Sequence, residues 1–318
     1  MFDAGGNGPT DAPRWQLAGI VGELAQARSE WRARQRRTDY GRREFPSREA
    51  LRQVVKGLCG ALFPMRLGPA DLRHEGEDFY VGYTLDSALD VLLPQVRLEL
   101  AHAARLAGHS EVHIGTESVA IVEGFAARLP GLRRLLDTDV QAAFEGDPAA
   151  HSVDEVLLCY PGVHAIIHHR LAHALHQLGA PLVARIIAEI AHGETGIDIH
   201  PGARIGGSFF IDHGTGVVVG ETAVIGERVR LYQAVTLGAR RVPVGPEGAA
   251  AKGQPRHPIL EDDVVIYAGA TLLGRITIGA RAVIGGNVWL TRSVPPDSHV
   301  SQDGLRHESA ATVTGGAP

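Results

Sequence analysis

Along the first half of the chain, apolar residues recur at intervals of three and four. From Trp15 to about Ala191, stretches such as "LDSALDVLLPQVRLELAHAARLAG" and "VHAIIHHRLAHALHQLGAPLVARIIAEIA" carry this spacing between Gly and Pro breaks. That is the pattern of several amphipathic helices, each with one face on a core. Past Gly193 the period becomes six. Ile199, Ile205, Ile211, Val217, Ala223, Val229 and Val235 form one comb, and Leu260, Ile266, Leu272, Ile278, Ile284 and Leu290 form a second. Ala223 alone among these thirteen positions is not Ile, Val or Leu, a regularity that chance would rarely give. Glycine or another small residue follows closely in most hexads, as in "IGG", "VVVGE", "LLGR" and "IGGN". One inward aliphatic per six residues with a tight bend between units predicts a parallel β-helix of hexapeptide repeats.

The two combs are out of phase, because Val235 and Leu260 are 25 residues apart, one more than four hexads. A segment must therefore leave the coil, and "GARRVPVGPEGAAAKGQPRHP", residues 238–258, has the glycines and prolines of a loop. The expected organisation is a disordered tail over 1–13, a helical domain over 14–192, a β-helix domain over 193–302 with loop 238–258, and a flexible tail over 303–318. Flat solenoid faces pack on copies of themselves, so a homo-oligomer is expected.

Composition narrows the picture only slightly. A chain of 318 residues with 44% hydrophobic content supports a real core, and a formal charge of −5 gives no global attraction to nucleic acid. The six arginines of "WRARQRRTDYGRR", Trp31 to Arg43, suit the wet face of a helix. Cys59 and Cys159 lack metal-ligand or disulfide spacing, which fits a reducing cytoplasmic setting. The start of the chain reads as neither signal nor anchor, and no run approaches eighteen apolar residues, so no membrane association is expected.

Candidate chemistry has an ordinary reading in each case. His213, in "IDHGTGVVVGE", could be a turn histidine satisfied by backbone, yet an imidazole with a pKa near 6.5 is also suited to take a proton from a hydroxyl nucleophile. Asp212 could be a turn acid. Asp147-Pro148 has the form of a helix N-cap followed by proline at N1. Arg256 and His257 beside proline would ordinarily be surface residues. The helical histidines His168, His169, His173 and His176 include an i, i+4 pair, His169 and His173. With no acid or cysteine beside them in the sequence, helix packing is the expected role and no metal site is assigned.

From about Asp139 to Pro296 the chain resembles bacterial serine O-acetyltransferases. The resemblance rests on "DPAA", "YPGVHAIIHHRLAH", "GIDIHPGARIG", "IDHGTGVVVGETAVIG", "YQAVTLGA", "RHPILEDDVVIYAGATLLG" and "IGGNVWL", in that order. It implies a left-handed parallel β-helix behind an N-terminal helical domain, acetyl-CoA as co-substrate, and L-serine as acceptor, giving O-acetyl-L-serine on the way to cysteine. It further implies a homotrimer or a dimer of trimers, with the helical domain over 14–192 serving oligomerisation and supplying part of the acceptor site. By this resemblance His213 is the general base and Asp198, fifteen residues upstream, the carboxylate that orients it. Asp147, Pro148 and Asp212 lie in the acceptor pocket, Arg256 holds the substrate carboxylate, and His257 positions the acceptor. Gly238, Ala239, Ala268, Gly269 and Gly286 lie against CoA. Homoserine or a sugar hydroxyl is the alternative acceptor. A metal-dependent carbonic anhydrase on this scaffold would need three convergent histidines, and the spacing of His200, His213 and His257 does not suit one.

Three features depart from the family pattern. The excursion before Arg256 is long, Ala239 stands where a glycine is expected, and the tail reads "ATVTGGAP" where the family has a terminal isoleucine. In the family that isoleucine tail can enter the active site of O-acetylserine sulfhydrylase. A tight complex of this kind is not expected here, because proline lacks the aliphatic anchor and the glycines raise the entropy of ordering.

Overall fold

A computed structural model of the chain describes residues 17–34, 45–108, 110, 112–240 and 253–302. The tails expected over 1–13 and 303–318, part of the arginine-rich stretch, and most of loop 238–258 fall outside these residues. The first helix, α1 (Leu17–Arg34), belongs to a separate unit and has no buried residue. The second unit opens with α2 (Arg48–Leu62), α3 (Pro64–Leu67), α4 (Glu77–Ala107) and α5 (Ile114–Gly146). It continues with α6 (Val153–Cys159), α7 (Pro161–Gln177) and α8 (Pro181–Thr195). No described helix is long and apolar enough to cross a membrane.

Helix α2 shows why these segments fold as they do. Ser47 caps it, its Oγ accepting from the Ala50 N–H at 3.3 Å, and Leu51, Val54, Val55, Leu58 and Leu62 form one buried stripe. Burying each such side chain contributes about 1.5–3 kcal/mol. The start of α8 is held differently. Buried Glu99 of α4 accepts from the Leu182 and Val183 N–H groups at 2.6 and 2.7 Å, satisfying two donors that a helix N-terminus otherwise leaves unpaired.

Among the described residues, fourteen two- or three-residue strands follow α8 in three parallel sheets, and each full coil gives one strand to each sheet. Sheet A holds β1 (Asp198–Ile199), β4 (Val218–Val219), β7 (Thr236–Gly238), β10 (Thr271–Leu273) and β13 (Trp289–Leu290). Sheet B holds β2 (Arg204–Ile205), β5 (Val224–Ile225), β8 (Ile259–Leu260) and β11 (Thr277–Ile278). Sheet C holds β3 (Phe210–Ile211), β6 (Arg230–Leu231), β9 (Val265–Ile266), β12 (Val283–Ile284) and β14 (His299–Val300). This is the left-handed parallel β-helix behind a helical region that the resemblance implied.

The second comb keeps its register, since Leu260, Ile266 and Leu272 stack on Ile278, Ile284 and Leu290. The first comb requires correction. Ile199, Ile205 and Ile211 stack on Val219, Ile225 and Leu231, each twenty residues on, so the first coil carries two residues more than three hexads. The extra pair lies between Ile211 and Val219, in "DHGTG". Past it the stacked series is Val219, Ile225, Leu231 and Leu237, while Val217, Ala223, Val229 and Val235 fill a second inward position. Leu237 and Leu272 pair across 35 residues, so the excursion adds seventeen to a regular eighteen-residue coil.

One buried ion pair ties the helices to the first coil. Arg170 of α7 grips Asp139 of α5 with two hydrogen bonds of 2.9 and 3.0 Å and donates to the Ile205 and Gly206 carbonyls, both at 2.6 Å. Asp139 also accepts from the Phe209 N–H at 2.9 Å. Burial pushes the Asp139 carboxyl up, against the opposing pull of Arg170. Asp139→Ala strands a guanidinium in the interior and is expected to cost about 3–5 kcal/mol, read as a lowered denaturant midpoint with an unchanged slope. A loss below about 1 kcal/mol would show that water replaces the carboxylate freely.

Candidate active site

The chain turns from sheet C to sheet A at one corner of the coil and from sheet A to sheet B at the next. The two-residue insertion widens the first C–A corner. Gly214 and Gly216 adopt φ of +89° and +78°, and a Cβ on Gly214 would fall 2.4 Å from the Ile197 Cδ1, so this path needs glycine. His213 has φ +58°, whereas the left-handed residues of later C–A corners, Ala234, Gly269 and Asn287, stack on Gly216, so the left-handed backbone at His213 comes with the insertion. The His213 side chain is 71% exposed, and its Nε2 lies 3.9 Å from Asp212 Oδ1.

The end of α5 brings Asp147 to this corner. Contrary to the N-cap reading, Asp147 is the C-cap of α5, and its Oδ1 accepts from the Ala149 N–H at 2.8 Å to close a turn with exposed Pro148. Ser152 is the cap of the next helix, its Oγ accepting from the Glu155 N–H at 3.0 Å. Asp147 Oδ2 accepts from the Tyr160 hydroxyl at 2.5 Å. That bond, then the Ala149 N–H, holds the Asp147 carboxyl below the usual range, with smaller help from His213 and Arg230. The same bond pushes the Tyr160 phenol up to about 12, so it stays a donor.

Arg230 lies over the rings of Phe210 and Tyr232, at 4.9 and 5.6 Å, and its Nη2 is buried with no hydrogen-bond partner among the described residues. Tyr160, Arg230 and Tyr232 were not singled out from the sequence. Tyr160 stands in the quoted "YPGV", but nothing there pairs it with Asp147.

Arg256 and His257 sit at the A–B corner. Both donate their backbone N–H to Thr222 Oγ1, at 2.9 and 3.2 Å, and the Thr222 N–H donates to His257 Nδ1 at 3.0 Å. His257 Nδ1 is therefore an acceptor, and Nε2 carries the ring proton. Burial pushes this imidazole down to about 4, with the Arg256 charge adding to it, so His257 is a neutral donor at physiological pH. Its ring lies on Gly220, where a Cβ would fall 2.0 Å from Cδ2. The Arg256 guanidinium contacts Glu221 Oε2 at 2.7 Å, a partner that the sequence reading passed over although it closes the "GVVVGE" stretch.

The remaining predicted residues divide between the corners. Ala268, Gly269 and Gly286 continue the C–A corner, where the Gly269 N–H donates to the Gln233 carbonyl at 2.9 Å and the Asn287 N–H to Ala268 at 2.8 Å. Gly238 ends β7 and Ala239 follows it, at the opposite edge of sheet A. Asp198, on β1, converges with Glu189 and His192 and makes no ion pair with His213 among the described residues. The i, i+4 pair on α7 packs: His169 is buried, and His173 Nδ1 lies 2.7 Å from the Pro201 carbonyl.

Residues 257–292 match the family model described as bacterial transferase hexapeptide (six repeats). The chain is 54% identical over 298 residues to a plasmid serine acetyltransferase of Synechococcus elongatus, covering 93% of each chain. Among solved structures, serine acetyltransferase 1 of Entamoeba histolytica in complex with L-cysteine superposes with a TM-score of 0.68 at 36% identity, over 78% of this chain and 86% of that one. A Neisseria gonorrhoeae serine acetyltransferase in complex with serine gives 0.51 at 27% identity, over 79% and 94%. With identity of this degree running through the helical half as well as the coils, the chain belongs to the serine acetyltransferase family.

Proposed function

We propose that the chain transfers acetyl from acetyl-CoA to the serine hydroxyl in a single direct step, with His213 as general base. The observation that carries this is an exposed imidazole at the C–A corner, flanked by Asp212 and Asp147 and continuous with the small-residue column of Ala268, Gly269 and Gly286. The two carboxylates face the substrate ammonium, a cation that needs anionic partners once desolvated. His213 Nε2 takes the hydroxyl proton as the serine oxygen bonds to the thioester carbonyl carbon. The tetrahedral adduct collapses, the carbon–sulfur bond breaks, and the imidazolium returns the proton to the CoA thiolate. Asp198 orients His213 only if the imidazole turns toward sheet A. The small-residue column lets the pantetheine arm approach the backbone closely.

Arg256 and the His257 Nε2–H suit the substrate carboxylate, but they lie at the far edge of sheet A. Strand residues rise about 3.3 Å each, so the stretch 217–221 separates the two corners by roughly 13 Å, too far for one serine to bridge. A second copy therefore supplies the Arg256 corner, which requires a cyclic assembly, a homotrimer or a dimer of trimers.

The test is a screen of hydroxyl acceptors with acetyl-CoA, read as free thiol. L-serine is expected to outperform homoserine and amino sugars, and cysteine, which shares the ammonium and carboxylate, to compete with it. A sugar preferred over serine would overturn the assignment of Asp147, Asp212 and Arg256.

A further inference from the structure

The helical region contains a second concentration of chemistry that acetyl transfer does not use. A cavity of about 540 Å³ opens among α2, α6, α7 and α8, and Cys59, Cys159, His164, His168 and Glu194 are on its wall. His164 and His168 are one turn apart on α7, with ring centroids 4.3 Å apart. Glu194 arrives from the last turn of α8, its Oε2 2.9 Å from His164 Nε2. One donor atom from each of the three lies within 4.8 Å of the other two.

We propose that His164, His168 and Glu194 form a binding site for a divalent transition-metal ion, for which zinc is the best match. Two imidazoles and a carboxylate are a donor set that zinc accepts, with an open fourth position facing the cavity. His168 Nδ1 lies 2.9 Å from the His164 carbonyl, so it carries the proton and leaves Nε2 free as a lone-pair donor. A ring N–H anchored on a backbone carbonyl is the usual outer support of a metal-binding histidine.

Tetrahedral bonds of 2.0–2.1 Å place donors about 3.4 Å apart, so His164 Nε2 and Glu194 Oε2, now 2.9 Å apart, must open slightly to admit the ion. His164 must hold its proton on Nδ1 when Nε2 ligates. Two cations border the cavity, Arg52 and Lys56. Arg52 lies 3.5 Å from Glu194 but also 3.1 Å from Glu49, so it keeps a partner when the ion takes Glu194. Cys59 is on the same wall, but its sulfur does not converge with the three donor atoms. The ion would clamp the start of α7, just past Tyr160, to the end of α8, just before Asp198.

The experiment uses the full chain, stripped with chelator and titrated with zinc chloride by calorimetry, with cobalt(II) absorption and thermal melts in parallel. Expected are one tight zinc per chain, a cobalt spectrum of tetrahedral intensity, and a Tm raised by several degrees at saturating zinc. His164→Gln and Glu194→Gln should each weaken binding by about 10²-fold or more while leaving the metal-free melt within a few degrees of the parent. His192→Gln, in the neighbouring Glu189–His192–Asp198 group, should leave the tight site intact. Zinc no tighter than about 10 μM in the parent, or unchanged affinity and cobalt spectrum in both cavity variants, would overturn the proposal.

Discussion

His213→Ala is expected to lower turnover by about 10²–10⁴-fold, the usual worth of a positioned general base, with acetyl-CoA affinity nearly unchanged. The side chain is mostly exposed at its corner and supports no core packing, so its loss should leave the melt intact. The check is thiol release under saturating substrates beside calorimetry with CoA. Near-normal turnover would remove His213 from the mechanism. Two carboxylates compete to support the imidazolium, and the structure separates them, with Asp212 at 3.9 Å and Asp198 out of ion-pair range. If His213 works in the orientation seen here, Asp212→Asn should be the more damaging in kcat. A larger defect from Asp198→Asn would show that the ring turns toward sheet A during the reaction.

How far the chain could be read before its structure depends on what each pattern encodes. The second comb was legible without error because no insertion interrupts it. The first comb slipped because each hexad has two inward positions. Val217, Ala223, Val229 and Val235, all at most 1% exposed, continue the period of six across the insertion and hide it. Asp147 was misread for a similar reason. An acid followed by proline mimics an N-cap, but the backbone turns at that point and the helix starts after Ser152.

Asp147, Asp212 and His213 were assigned through the family resemblance, whereas Tyr160 and Arg230 join them only through the packing of α5 and α7 on sheet C. The acid missing beside the α7 histidines stands 26 residues past His168, on another helix. Sequence spacing along α7 pointed to His169 and His173, whose nitrogens the fold keeps inside or spends on the Pro201 carbonyl.

Mixing two inactive variants is expected to restore activity. Arg256→Ala should weaken serine binding by about 2–5 kcal/mol, far more than it weakens acetyl-CoA binding, because the bidentate partner of the carboxylate is gone. His213→Ala removes the base. If a site takes its C–A corner from one copy and its A–B corner from the next, co-assembled chains of the two variants form some sites with both residues intact. At equal amounts and random assembly around a ring, about a quarter of sites are whole, so activity should recover to roughly a quarter of the parent value. The measurement is serine-dependent thiol release after co-expression, compared with each variant alone. The competing arrangement is specific: Arg230, with a buried unpartnered Nη2 beside Asp147, could hold the serine carboxylate within one chain. In that case Arg256→Ala alone would leave serine binding largely intact and Arg230→Ala would abolish it. Absence of recovery from two individually inactive variants would show instead that His213 and Arg256 act within the same copy, and the corner separation in the coil would then have to close by a movement of the segment carrying Arg256.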